Sequence, residues 1–131
     1  MMIHCRIVTP EGVYKELDTP IINICSTDGE EGILINHMPL VTMLKIGHMS
    51  TEENGVRQDY AVAGGLFYFR DNQAKILSDA VESKTEIDEE RAEAAKQRAL
   101  THLQSGGPNE DIKRAQVALQ KAVNRIKVKN G

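Results

Sequence analysis

The sequence predicts a mainly β plus α chain: a β domain over residues 1–84, then a helical segment over residues 85–131. Three observations predict it. All five aromatic residues (Tyr14, Tyr60, Phe67, Tyr68, Phe69), and most of the β-branched ones, precede Val81–Glu86. Beyond that point Ala, Lys, Glu, Gln and Arg dominate, and these are helix formers. Between the two lies a strong helix start, Ile87-Asp88-Glu89-Glu90-Arg91-Ala92. A run of strands followed by a run of helices is the pattern of segregated α and β layers.

The β elements follow in order. Ile3–Thr9 is a short strand ended by Pro10-Glu11-Gly12, a turn signal. Val13–Leu17 comes next, then Pro20 and the apolar strand Ile21–Cys25. Thr27–Gly32 reads as an acidic loop bounded by glycine, Ile33–Ile35 as a short buried strand, and Asn36-His37-Met38-Pro39 as its break. Leu40–Ile46 resumes β character up to Gly47. His48–Glu53 and Val56–Ala63 flank Asn54-Gly55, the strongest short hairpin signal in the chain. Gly64-Gly65 and Asp71-Asn72 read as turns around Leu66–Arg70 and before Ala74–Ser78. Short strands at this spacing predict an antiparallel sandwich or barrel.

The helical segment begins at Asp88, whose carboxylate can accept from orphan N–H groups of the first turn. Glu89 and Glu90 lie where the helix dipole favours negative charge. Asp88, Arg91, Ala95 and Arg98 share one face, which places two guanidinium groups on either side of an alanine. The neighbouring apolar face, Ala92, Ala95, Ala99 and Leu103, is thin. Ser105-Gly106-Gly107-Pro108 stops this helix near Gln104, and Asn109 is the expected cap of the second. There Ile112, Ala115, Leu119, Ala122 and Ile126 alternate steps of three and four, a narrow coiled-coil-like stripe. A short connection and two such stripes predict an antiparallel two-helix hairpin. Its seam of alanines buries little area, so the hairpin can open at small cost.

Charge and chemistry narrow the function. The net charge of -3 argues against nucleic acid as a partner. Residues 109–131 nevertheless hold six Lys or Arg against two Asp or Glu, while residues 1–108 hold ten against seventeen. A basic tail on an acidic body points to an acidic partner or an intramolecular contact. No apolar run is long enough to span a bilayer and nothing reads as a signal peptide. Cys5 and Cys25 lack metal or redox spacing and are expected as reduced core thiols of a cytoplasmic protein. His4, His37, His48 and His102 form no metal-ligand pattern. Gly64-Gly65 lacks the spacing and the lysine of a phosphate loop, and Ser26, Ser50 and Ser78 lie in no nucleophile-elbow context. No catalytic set emerges.

Three stretches carry a resemblance that covers essentially the whole chain. Gly32-Ile33-Leu34-Ile35-Asn36-His37-Met38-Pro39-Leu40 resembles a family pattern Gly-Ile-Leu-Pro-Gly-His-x-Pro-Leu. Val62-Ala63-Gly64-Gly65-Leu66-Phe67 with Ile76-Leu77-Ser78-Asp79-Ala80 is the second, and Ile87-Asp88-x-x-Arg91-Ala92 the third. Together they resemble the epsilon subunits of bacterial F-type ATP synthases. The resemblance implies a β-sandwich of about ten strands with a C-terminal helical hairpin. It implies a non-catalytic role in the central stalk, with the sandwich holding the gamma subunit and touching the ring of c subunits. Glu30 and His37 match positions near that ring; taken alone they read as a solvated loop acid and a turn residue beside Pro39. The hairpin would act as a brake on ATP hydrolysis. Extended, its basic second helix would meet acidic segments of the alpha/beta catalytic head.

Some bacterial members bind ATP in the folded hairpin. Carried over by position, that site is Glu82, Ile87, Asp88, Arg91, Ala92, Arg98, Lys121 and Arg125. Arginines would take phosphates bidentately, and Asp88 and Glu82 would accept hydrogen bonds around the adenine. Lys121 stands where better ATP binders carry arginine, keeping the charge and losing the fork. ATP is thus an expected regulatory ligand, with no metal or required cofactor. The expected setting is peripheral, at the cytoplasmic side of the bacterial plasma membrane. The alternative is a free-standing ATP-sensing module without a rotor partner; a small enzyme ranks third.

Overall fold

The computed structural model describes all 131 residues, as two compact units, Met1–Lys84 and Thr85–Gly131. The first contains β1 (Ile3–Thr9), β2 (Gly12–Thr19), β3 (Ile21–Ser26), β4 (Gly29–Leu34), β5 (Leu40–Glu53), β6 (Val56–Arg70), β7 (Gln73–Leu77) and β8 (Val81–Ser83). The strand order is β2-β1-β7-β6-β5-β3-β4, with β8 paired to β6. All pairs are antiparallel except β1 with β7, which is parallel. Residues from both ends of this order, Leu17 of β2 and Ile33 of β4, share one buried cluster with Ile3, Ile7, Ile22, Phe67, Tyr60 and Ile76. The ladder therefore folds over itself into a sandwich-like body, with each strand sending alternate side chains inward.

There are eight strands rather than about ten: two glycine sites join four of the nine strands read from the sequence into two, and β8 adds one. Gly47 and Gly64-Gly65 do not end strands, because β5 and β6 run through them as one long hairpin in constant register from Leu40↔Phe69 to Glu53↔Val56. The positive φ expected at Gly64 and Gly65 is present, at 79° and 128°. β6 continues through both residues rather than turning there. A Cβ on Gly65 would lie 1.9 Å from the Leu77 carbonyl oxygen, so only glycine lets β7 approach there. Gly47 is crowded by Cys25, 3.0 Å from where a Cβ would stand.

Two further expectations change. The Thr27–Gly32 loop is a tight turn, and most of that stretch belongs to β4, paired residue by residue with β3 from Ile21↔Leu34 to Ser26↔Gly29. Ser26 Oγ holds this turn, donating to the Gly29 carbonyl at 3.0 Å and accepting from Asp28 N at 3.1 Å. Ile33 is buried but Leu34 is exposed, as strand alternation requires. The turns at Asn54-Gly55 and Asp71-Asn72 form as predicted, each with φ positive at both residues.

A polar cluster of this unit is built around the half-buried Glu53. Its carboxylate accepts from Lys15 Nζ at 2.7 Å, Tyr60 Oη at 2.6 Å and Thr51 Oγ1 at 2.6 Å. Burial raises the Glu53 carboxyl, yet these three donors outweigh it and leave it below its ordinary value of 4.5. Burial pushes the Cys5 thiol up to about 12, an inert core group as expected.

The second unit is α1 (Glu89–Ser105) and α2 (Asn109–Asn130). Asp88 is the cap, with extended backbone and a carboxylate that accepts from Arg91 N at 3.2 Å. Gly106, at φ 71°, ends α1. Asn109 does not cap α2. Pro108 takes that place, and its carbonyl accepts from Asp111 N and Ile112 N at 3.0 and 3.2 Å. Proline's φ of -58° with an extended ψ presets the entry without a side-chain bond. The helices pack as an antiparallel hairpin, with Ala92 and Ala99 of α1 and Ala115, Ala122 and Val128 of α2 buried. Ile112, Leu119 and Ile126 of the predicted stripe are half-buried.

Candidate functional site

The α-hairpin carries most of the expected nucleotide residues, and the structure sorts them by exposure. Ile87 and Ala92 are buried at 2% and 0%, so they pack rather than present a surface. Arg91 and Arg98 are exposed on α1, two helical turns or about 10.5 Å apart along the axis, with half-buried Ala95 between. Lys121 and Arg125 are half-buried on α2, about one turn apart. Asn130 Nδ2 donates to Glu89 Oε1 at 3.2 Å, which ties the end of α2 to the start of α1. Counting back along α2 at about 1.5 Å per residue sets Arg125 roughly between the levels of Arg91 and Arg98, and Lys121 roughly level with Arg98. Four cations therefore fall within about two turns of one hairpin. Asp88 is partly committed, because Oδ1 already serves the cap. Glu82 belongs to the first unit, half-buried on β8 opposite Ala61.

The sheet unit carries the second candidate. Glu30 is exposed on β4 opposite Cys25, so it is a strand residue and not a loop acid. His37 N donates to the Leu34 carbonyl at 3.1 Å, closing a turn whose central residues are Ile35 and Asn36. Asn36 has φ 68°, as the third position of a type II turn demands. The resembling pattern has Pro-Gly at these two places. Asparagine is the substitute that tolerates a left-handed backbone, which gives this departure a physical reason. The half-buried His37 ring stands edge-on to Phe69, centroids 5.8 Å apart at 87°. Its Nδ1 lies 2.7 Å from the Met38 carbonyl oxygen. A carbonyl only accepts, so Nδ1 carries the proton, and in the neutral ring Nε2 is the acceptor.

An apolar outer face borders this loop, and the sequence reading missed it. Met38, Val41 and Met43 are 72%, 65% and 60% exposed. Val41 pairs with Tyr68 and Met43 with Leu66, which puts these side chains in adjacent rows across β5 and β6. A groove of about 740 Å³ runs along the same sheet, lined in part by Leu40, Val41, Tyr68, Arg6 and Lys75. Contiguous exposed apolar surface of this kind marks an interaction site. The available signal was alternation: in strands with one buried face, Val41 and Met43 fall out of phase with Leu44.

No helix is long and apolar enough to cross a membrane, and no group of three or more His, Cys, Asp or Glu is placed to hold a metal ion.

Residues 2–84 match the family model for the ATP synthase, Delta/Epsilon chain, beta-sandwich domain, and residues 85–130 that for its long alpha-helix domain. The ATP synthase epsilon chain of Bacillus pumilus is 40% identical over 127 residues, covering 96% of this chain and 95% of that one. That of Desulforamulus reducens is 44% identical over 121 residues, covering 92% of each. Among solved structures, a chain of the Euglena gracilis mitochondrial ATP synthase (OSCP/F1/c-ring) matches with a TM-score of 0.80 at 23% identity, covering 94% of this chain and 78% of that one. A chain of the Tetrahymena thermophila mitochondrial ATP synthase central stalk/c-ring matches at 0.68 and 15%, covering 96% and 95%; these two likenesses concern the fold. With both domains matched in order and relatives at 40% identity or above along nearly its whole length, the chain belongs to the ATP synthase epsilon chain family.

Proposed function

We propose that this chain is a non-catalytic central-stalk subunit of a proton-translocating F-type ATP synthase. The sheet unit joins the gamma subunit to the c-ring, and the α-hairpin restrains ATP hydrolysis. The observation that carries this is the 40% identity to a bacterial epsilon chain across both domains. The exposed Met38, Val41 and Met43 supply an apolar face suited to a permanent partner. The neighbouring Glu30 and His37 offer a carboxylate and an imidazole to the polar loops of a rotor ring. Such a subunit lies peripherally, on the cytoplasmic side of the bacterial membrane.

The hairpin is the regulatory part. Its alanine seam is held weakly, and six Lys or Arg on residues 109–131 suit an acidic segment of the catalytic head when it extends. ATP is the regulatory ligand of the folded form. Arg91, Arg98 and Arg125 take its phosphates as forks and Lys121 as a point charge. Asp88 accepts a hydrogen bond around the adenine, while Ile87 and Ala92 shape the site by packing. A ligand that binds only the folded hairpin stabilises it by RT ln(1 + [L]/Kd), about 2.7 kcal/mol at a hundredfold excess over Kd. That is enough to hold a weak seam closed.

Isothermal titration of the chain with ATP tests the sensor, with Arg91→Ala/Arg98→Ala as control. Saturable binding lost in the control is the expected result; no heat up to several millimolar ATP would remove the sensor and leave the stalk role standing. Copurification with a gamma subunit tests the stalk role itself. ATP binding without a gamma complex would favour a free-standing ATP-sensing module instead.

A further inference from the structure

The loop Ile35–Pro39 is joined to another element by two hydrogen bonds, both to one residue. Asn36 N donates to Asn72 Oδ1 at 2.6 Å, and Asn72 Nδ2 donates to Asn36 Oδ1 at 3.0 Å. The remaining bonds of the loop, His37 N to the Leu34 carbonyl and His37 Nδ1 to the Met38 carbonyl, are local. Asn72 is itself fixed. It is the second residue of a two-residue turn closed by the Arg70↔Gln73 pair, with φ 60°. Its carbonyl accepts from His4 N of β1 at 2.9 Å. Rigidity thus passes from the β1–β7 ladder through one side-chain amide to a turn 36 residues away in sequence.

We propose that Asn72, acting through Asn36, is a positioning residue that holds the His37–Met38 tip in its docking conformation. Two demands meet at Asn36. The turn requires a positive φ, which glycine meets at no steric cost. Asparagine meets it with a side chain, and that side chain is spent on Asn72. The exposed Met38 and the edge-on His37 are then presented without a large loss of loop entropy on docking. That the docked partner is the gamma subunit and c-ring rests on the function proposed above; the clasp itself does not.

Asn72→Gly and Asn36→Gly test this, because glycine fits both positive-φ positions: the first removes both clasp bonds along with the 3.7 Å contact of Asn72 Nδ2 to Met1 Sδ, and the second removes only the side-chain bond, since the Asn36 N–H remains. In the full chain, backbone order parameters at His37 and Met38 should fall from about 0.85 toward 0.6 in Asn72→Gly and by less in Asn36→Gly. The Kd for a gamma–c-ring complex should rise about three- to tenfold. The double variant should match Asn72→Gly, because that change alone already removes both bonds. Unchanged order parameters in Asn72→Gly, or losses that add in the double variant, would overturn the proposal. A wild-type chain that binds neither partner would overturn the stalk role instead, and the order parameters would still decide the clasp.

Discussion

The two units are stabilised in different ways. The sheet unit buries Tyr60, Phe67 and eight or more aliphatic side chains completely or nearly so, and every strand contributes. The hairpin buries four alanines and Val128 along its two helices. A phenylalanine removes several times the apolar area of an alanine, so the first unit resists opening and the second is close to its threshold. The contrast suits the function proposed above, in which one unit holds partners and the other changes state.

Breaking the stronger side gives the largest expected effect. Phe67→Ala, at a fully buried site, should destabilise the sheet unit by about 3–5 kcal/mol. Ala99→Gly at the hairpin seam should cost about 1 kcal/mol. Urea unfolding followed by hydrogen exchange separates the two, and equal losses would refute the contrast. Next comes Gly65→Ala. Its Cβ would meet the Leu77 carbonyl oxygen, at a φ of 128° that disfavours alanine, so β6 and β7 must part there. A loss of at least ~2 kcal/mol is expected, read as a lower urea midpoint.

The Glu53 cluster gives a third, pH-dependent difference. Its folded pKa lies below 4.5, so its contribution is present above that value and disappears as pH falls through the folded value. Glu53→Gln should cost about 1–2 kcal/mol at pH 7 and show a shallower stability loss below pH 4.5 than wild type. Thermal melts from pH 7 to pH 3 would show this, and parallel profiles would remove Glu53 as the cause.

What was legible in the sequence was what local chemistry decides. Asp88 capped as expected because its carboxylate needs only the next turn's N–H, and Asn54-Gly55 turned because both residues accept positive φ. The glycines at 47, 64 and 65 were misleading for a physical reason: glycine reports an unusual φ or a close approach, and both occur inside a continuous ladder as well as at its end. β8 was invisible because three residues carry no periodicity, and only their pairing with Tyr60–Val62 makes them a strand. The face of Arg91 and Arg98 was readable from helical spacing. The Asn36–Asn72 pair was not, since nothing in either tripeptide points to the other.

The smallest effect sharpens the comparison most. Asp88→Ala removes the one side-chain bond of the α1 cap and should cost about 1 kcal/mol. In the sheet unit a loss of that size would be a small fraction of the total. In a hairpin held by alanines it is a large fraction, and it falls on the turn that carries Arg91. Exchange of the Arg91 and Ala92 amides should therefore quicken about fivefold, with the amides of Phe67 and Ile76 unchanged. If ATP binds the folded hairpin, saturating nucleotide should slow the α1 amides again while leaving Phe67 alone. Acceleration spread evenly over both units would mean that they open together, and the hairpin could not then act as an independent arm.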